Sequence, residues 1–235
     1  MIKPEIKMSI LEHIEELRTR TFKATIFFII STFISFSYIK EISYLLQQPA
    51  NGIRFLQLAP GEYFFSSIKI SSYTGLIISS PFIIYQIVLF ILPGLTSTET
   101  KFFLPILIAS ICLFFIGIYF SFKILIPAAL HFFIKYGADI VEPLWSFEQY
   151  FDFILILLFS TGLAFQIPII QIILGLMGAI SSNQMLRYWK YIFLISTILS
   201  AILTPSTDPI TQLLLSSAIL FLYFSGILIL KFLKK

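Results

Sequence analysis

Apolar positions in this chain come in runs of membrane length. Six runs, Phe22–Ile39, Ile68–Leu92, Phe102–Ile126, Phe151–Met177, Trp189–Leu203 and Ile210–Leu230, are long enough, or nearly so, to cross a ~30 Å hydrocarbon core as helices. Ahead of them lies one long polar stretch, MSILEHIEELRTRTFK (Met8–Lys23). Its pattern predicts a helix. Ser9 is a good N-cap, with Glu12 three residues on in the capping-box position. Ile10, Ile14, Leu17 and Thr21 recur at helical spacing on one face. The acids Glu12, Glu15 and Glu16 come first and the bases Arg18, Arg20 and Lys23 last, which suits the helix dipole. Two readings of this stretch are open. It is an interfacial anchor whose basic end orients the first span, or its carboxylates face the aqueous side as a docking surface.

An even number of runs puts both chain ends on one side, and the distribution of bases chooses that side. With the ends inside, eleven Lys and Arg residues lie inside or at that boundary. Only Lys40, Arg54, Lys69, Lys123 and Lys135 lie outside. Both ends are therefore expected on the cytoplasmic or stromal side. Of the outer connections, Lys40–Ser67 is too apolar to stay solvated and is expected to form a cap on the membrane. Pro127–Tyr150 is expected to form a second piece of it. The inner loops, Pro93–Lys101 and Gly178–Tyr188, are short. As a helix the fifth run extends only about 24 Å, and the polar turn TPSTDP (Thr204–Pro209) follows it. Local thinning or water entry is expected there. Pro81, Pro105 and Pro168 fall within runs and predict kinks, hence a concave bundle.

Composition narrows the class. The chain has 235 residues, 58% hydrophobic and 12% charged, with mean hydropathy +0.95. No water-soluble domain buries that much apolar surface, so the expected fold is an all-α polytopic membrane protein forming one domain over residues 1–235. The many phenylalanines hint at an AT-rich genome. The first apolar run is long and lacks a small-residue cleavage site, so Met1 is expected to begin the mature chain. The single Cys112 excludes an internal disulfide.

Catalytic parts are scarce. His13 and His131 flank opposite sides of the membrane and cannot share a metal. There is no HExxH pair and no phosphate-binding GxxxxGK[ST] loop, and no span interior holds a histidine. Neither an enzyme nor a bound cofactor or metal is expected. The ionisable residues Lys69, Lys123, Asp152 and Lys190 lie near span ends, which argues against a proton-coupled small-solute carrier. The span interiors offer the amides Gln86, Gln166 and Gln171. Gln166 makes either an interhelical hydrogen bond or a polar contact to a partner helix or a passing chain. Glu99 is the one acid in the short inner loops. It either caps the helix starting near Phe102 or, with acids of the N-terminal helix, clamps an arginine. A pair of carboxylates favours arginine over lysine, because a guanidinium binds them as a planar fork.

The ordered motifs decide between these readings. HIEELRTR (His13–Arg20) resembles the N-terminal signature of the TatC family, the multispanning subunit of the twin-arginine protein translocase. APGEYFFSSIKIS (Ala59–Ser71), SPFIIYQ (Ser80–Gln86), FILPGLTSTETK (Phe90–Lys101), TGLAFQIP (Thr161–Pro168) and LTPSTDPITQ (Leu203–Gln212) follow in the family's order. The resemblance covers the chain from Met8 to about Leu230.

It implies six spans with both ends inside, and a receptor and core subunit for a translocase that moves folded proteins bearing twin-arginine signals, driven by the proton-motive force. A secondary carrier for a small solute is the alternative. Glu16 matches the acid of the family's HxxEL motif and Glu99 the acid of the first inner loop, the two that contact the arginine pair. His13, Leu17 and Arg18 complete the first motif, and Phe90 and Pro93 border the loop. Pro49, Glu62, Phe64 and Lys69 fall at motif positions of the outer cap and second span, and Asp208 at the last outer turn. Gln166 stands where many bacterial members have Glu, at a position implicated in recruiting partner subunits. The implied partners are twin-arginine signal peptides of folded cargo, small single-span subunits of the TatA/TatB type, membrane lipid and an oligomeric complex; nucleic acid is not among them. The FQIP form resembles the cyanobacterial and plastid branch, which favours a plastid thylakoid membrane over a bacterial plasma membrane.

Overall fold

The computed structural model describes residues 10–50, 52–91, 100–137, 142, 144–204 and 208–233. Each apolar run is helical. The helices are α1 (Ile10–Ser37), α2 (Ile39–Gln47), α3 (Glu62–Ile91), α4 (Phe103–Phe120), α5 (Ile126–Gly137), α6 (Phe147–Ala164), α7 (Ile167–Leu176), α8 (Ser182–Arg187), α9 (Trp189–Leu203) and α10 (Pro209–Phe232). Among the described residues, four helical segments, Glu62–Ile91, Phe103–Gly137, Phe147–Leu176 and Pro209–Phe232, are long and apolar enough to span a membrane. α1 and α2 pass the same test only when taken together, and they are bent by 80° at their junction. α9 has only 15 residues, about 22 Å at 1.5 Å per residue, as its sequence anticipates.

Helices run further than the hydropathy pattern suggests. The helix expected at Met8–Lys23 is present from Ile10 and continuous with the first span, because an α-helix does not break where its surface turns from polar to apolar; the expected Ser9 cap lies outside the described residues. α3 begins at Glu62 rather than near Ile68. Much of Pro127–Tyr150, expected as loop, is helix: α4 passes through a π-turn, Ser121–Leu125, straight into α5. In that turn the Ile126 N–H reaches back five residues to the Ser121 carbonyl. The ladder thus shifts just before Pro127, which has no N–H to donate.

The three prolines sit in different local settings. Pro105 lies in the first turn of α4, where an N–H has no intrahelical partner to lose. Pro81 leaves the Ile77 carbonyl without its N–H, but the Ser80 hydroxyl donates to it at 2.7 Å, and α3 continues. A side-chain hydroxyl here replaces the missing backbone donor. Only Pro168 coincides with a break, between α6 and α7.

The cap is built from both outer connections. Strand β1 (Arg54–Leu56) pairs in parallel with β2 (Leu144–Ser146), Phe55 opposite Trp145. The Tyr150 hydroxyl donates to the Leu46 carbonyl at 2.8 Å, tying α2 to α6. Beneath the cap, Ile70, Leu125, Phe151, Ile154 and Leu215 form a core with almost no exposure. A second core, including Val88, Ile169, Leu176 and Ile227, joins α3, α7 and α10. Large apolar side chains such as Phe33 and Phe221 point outward, as lipid-facing residues must.

α1 and α3 form the most intimate helix pair. They meet closest at Gly75, where a β-carbon would sit 2.7 Å from the Thr32 Cα. Only glycine permits that approach.

Candidate docking site

Glu16 and Arg20 are four residues apart on α1, acid before base, the favourable order for a helical ion pair. Glu16 Oε1 accepts from Arg20 Nε at 2.8 Å and also from Arg20 Nη2. Arg20 Nη1 donates to Gln86 Oε1 on α3 at 3.3 Å. The His13 ring stacks on Phe90 with centroids 4.2 Å apart, and its Nδ1 lies 3.8 Å from Glu16 Oε2. That second oxygen is buried and accepts no hydrogen bond among the described residues. Its state matters, since an unsatisfied carboxylate oxygen is a ready acceptor for an incoming cation.

Below this polar cluster runs an apolar groove of ≈ 350 Å³ along the α1–α3 seam. Leu17, Ala24 and Phe28 line it from α1, and Leu76, Ile83 and Ile87 from α3, with Arg20, Gln86 and Phe90 also contributing. The α1 residues follow the three-and-four spacing of one helix face. The charged side chain that lines the groove is Arg20, and Glu16 stands behind it as its ion-pair partner.

The structure brings together His13, Glu16, Leu17 and Phe90. Arg18 turns away and pairs with Glu15 at 3.3 Å, both side chains more than two-thirds exposed. Glu99 and Pro93 lie outside the described residues; α3 ends at Ile91 and the chain is described again from the turn Thr100–Phe102.

Gln166 is the N-cap of α7. Its Nε2 donates to the Ser110 carbonyl of α4 at 3.1 Å, and its Oε1 accepts from the Ser110 hydroxyl. An amide can serve both roles at once. The interhelical hydrogen bond among the sequence readings is therefore present, with Gln166 still half-exposed.

The outer residues form a separate network. The Glu62 carboxylate accepts from the backbone N–H groups of Leu58, Ala59 (3.1 Å) and Glu148 (3.0 Å), and from the Ser146 hydroxyl at 2.9 Å. It thereby fastens the start of α3 to the start of α6. Two turns along, Lys69 Nζ lies 2.7 Å from Glu148 and 2.9 Å from Asp152. Asp208 caps α10, accepting from Thr211 N at 2.7 Å. Pro49 sits half-buried in the 3-10 turn Gln48–Ala50 after α2, and Phe64 is exposed at the start of α3.

Sequence reasoning missed four participants. Arg20 was read as a topology-setting charge, although the EELRTR spacing already signals its pairing with Glu16. Gln86, Ser110 and Glu148 carry no local signal, because their partners lie 66, 56 and 79 residues away.

Comparison with known proteins agrees with this architecture. The profile of the family described as TatC, Sec-independent protein translocase protein, matches residues 12–217. The tatC-like protein ycf43 of Gracilaria tenuistipitata var. liui is 66% identical over 97% of this chain and 96% of its own length. The Sec-independent protein translocase protein TatC of Synechocystis is 51% identical, over 96% of this chain and 89% of its own. The crystal structure of a twin-arginine translocase receptor, TatC, superposes with TM-score 0.83 at 34% identity, covering 95% of this chain and 100% of that one. This polytopic helical chain belongs to the TatC family of Sec-independent protein translocase proteins.

Proposed function

We propose that this translocase subunit is the receptor for twin-arginine signal peptides. The observation that carries the reading is Glu16, with a buried, unsatisfied oxygen, next to an apolar groove of the α1–α3 seam that its ion-pair partner Arg20 and its neighbour Leu17 line. A signal with arginines followed by an apolar segment has the complementary order. The arginines dock on Glu16 at the head of the groove, with Glu99 as the second acid, and the apolar segment lies along Leu17, Phe28, Leu76 and Ile87. His13 and Phe90, stacked on each other, wall the entrance, and Pro93 borders the same loop.

Both chain ends face the compartment from which cargo arrives, and residues 1–235 act as one unit. Small single-span subunits assemble beside Gln166 and the short α9, and the proton-motive force drives transport. Rice carries a relative named as a chloroplastic TATC, 48% identical over 96% of this chain. Together with the ycf43 relatives it supports a thylakoid membrane, a bacterial plasma membrane being the second possibility. A small-solute carrier finds no support, since the family is a protein translocase.

A photoreactive residue in place of Leu17 tests the reading. An adduct with a twin-arginine signal peptide, lost in Glu16→Gln, is the expected result. Equal adducts from Arg-Arg and Lys-Lys peptides, unaffected by Glu16→Gln, would overturn it.

A further inference from the structure

Glu16 is already occupied by a guanidinium. Arg20 places Nε and Nη2 on one of its oxygens, while Nη1 is held by Gln86 across the seam. The pair is not a solvated surface bridge, since the two side chains are 22% and 17% exposed. The neighbouring Arg18–Glu15 pair shows the contrast at 78% and 71%. Charge at the head of the groove is therefore cancelled in the resting chain. Only Glu16 Oε2 remains open, and a guanidinium that binds through both carboxylate oxygens needs Oε1 as well.

We propose that Arg20 is a built-in competitor that sets the affinity threshold of the docking site. An incoming guanidinium takes the place of Arg20 on Glu16 and restores the same kind of forked hydrogen bonds. Gln86, which accepts from Nη1, helps hold Arg20 on Glu16 in the resting chain, and the displaced Arg20, already partly exposed, turns its charged head toward water. This inference rests on the reading that signal arginines dock at Glu16.

Competition of this kind has a defined thermodynamic signature. Apparent affinity falls by the fraction of molecules in which Glu16 is free, and by the same factor for every cationic ligand. Selectivity between arginine and lysine is untouched, but the weaker ligand drops below useful concentrations. A pair closed in about nine molecules of ten weakens every ligand about tenfold. The loss lies in the association rate, because the ligand waits for Arg20 to leave. Dissociation is unaffected.

The test uses the purified full chain in nanodiscs, with labelled Arg-Arg and Lys-Lys peptides that share one apolar segment. Arg20→Lys keeps the charge but removes the fork, and Gln86→Met removes the anchor that holds Arg20 ready. For Arg20→Lys, both peptides are expected to bind about tenfold tighter through faster association, with dissociation rates and the Arg/Lys ratio unchanged. Gln86→Met shifts both in the same direction by a smaller factor, and carries the test alone if Arg20→Lys does not fold. Weaker binding of either peptide through faster dissociation would overturn the proposal and make Arg20 a support for Glu16. If the native chain binds neither peptide better than a scrambled one, the receptor reading fails and takes this inference with it. If the native chain prefers Arg-Arg but neither variant accelerates association, only the competitor role of Arg20 fails.

Discussion

Gly75 is where the groove is most easily disturbed without touching its polar head. A β-carbon there would lie 2.4 Å from Thr32 Oγ1, 2.7 Å from Thr32 Cα and 2.8 Å from Thr32 N, whereas ordinary contact begins at 3.4 Å. Two of these three atoms are backbone and cannot swing aside. Gly75→Ala therefore forces α1 and α3 apart by roughly 1 Å, since a close-packed interior has no slack to absorb the methyl group. Overpacking of this kind costs about 1–3 kcal/mol, and the better helix propensity of alanine offsets about 1 kcal/mol. The net loss for alanine is about 1 kcal/mol, and for Gly75→Val about 3 kcal/mol, because two further methyl groups must be fitted and valine gains less helix propensity over glycine than alanine does. For a chain of this size each kcal/mol moves Tm by about 2–4 °C. Thermal unfolding of the purified protein in detergent should show a drop of about 2–4 °C for Gly75→Ala and about 6–12 °C for Gly75→Val. Gly137→Ala is the control, since no atom lies within 4 Å of its added carbon. A Gly75→Val protein as stable as the native one, or an equal loss from Gly137→Ala, would refute the close approach of α1 and α3.

Three further outcomes are expected. A double-mutant cycle of Ser110→Ala and Gln166→Leu should give a coupling of about 0.6 kcal/mol, the average for hydrogen bonds between membrane helices; zero coupling contradicts the reciprocal pair. Lys69→Met leaves Glu148 and Asp152 without their shared ammonium. The cost is about 1 kcal/mol, kept small because all three side chains are about two-fifths exposed, and it should shrink in high salt; a salt-independent loss argues against an ion pair. Glu62→Gln turns an amide NH₂ toward backbone N–H groups that need an acceptor, so the cap should loosen and trypsin should cut faster at the exposed Arg54. An unchanged cleavage rate would contradict the role of Glu62 as the fastening of α3 to α6.

How much of this was legible in the sequence depends on the range of each interaction. The apolar runs located every long helix, because hydropathy over some twenty residues integrates many side chains. The short fifth run was legible too, since its length is a property of the sequence alone. Helix ends were not. α1 crosses the boundary between EELRTR and the apolar run without interruption, and α5 extends to Gly137, because hydropathy reports the surroundings of a helix and not its hydrogen bonds. The rescue of the Ile77 carbonyl by Ser80, beside Pro81, depends on a rotamer that no hydropathy pattern shows.

The site divides along the same line. Glu16, His13, Leu17 and Phe90 were recognised from their motifs, and the structure gathers them at one place. The pairing of Glu16 with Arg20 was within reach through helical spacing. Gln86 was seen only as an amide within a span, because nothing local announces that α3 lies against α1 at that level. Lys69 was placed near the end of a span, but its two carboxylate partners on α6 emerge only when the helices pack.

The central claim is that Glu16 receives the signal's arginines. Its most direct test is the equilibrium binding of an Arg-Arg signal peptide to the purified native chain and to Glu16→Gln, with a Lys-Lys peptide as reference. Replacing the carboxylate by an amide removes a charge-assisted forked bond, so a Kd at least tenfold weaker is expected for Arg-Arg and a smaller weakening for Lys-Lys, whose ammonium groups make no fork. An Arg-Arg affinity that is the same for native and Glu16→Gln proteins would contradict it.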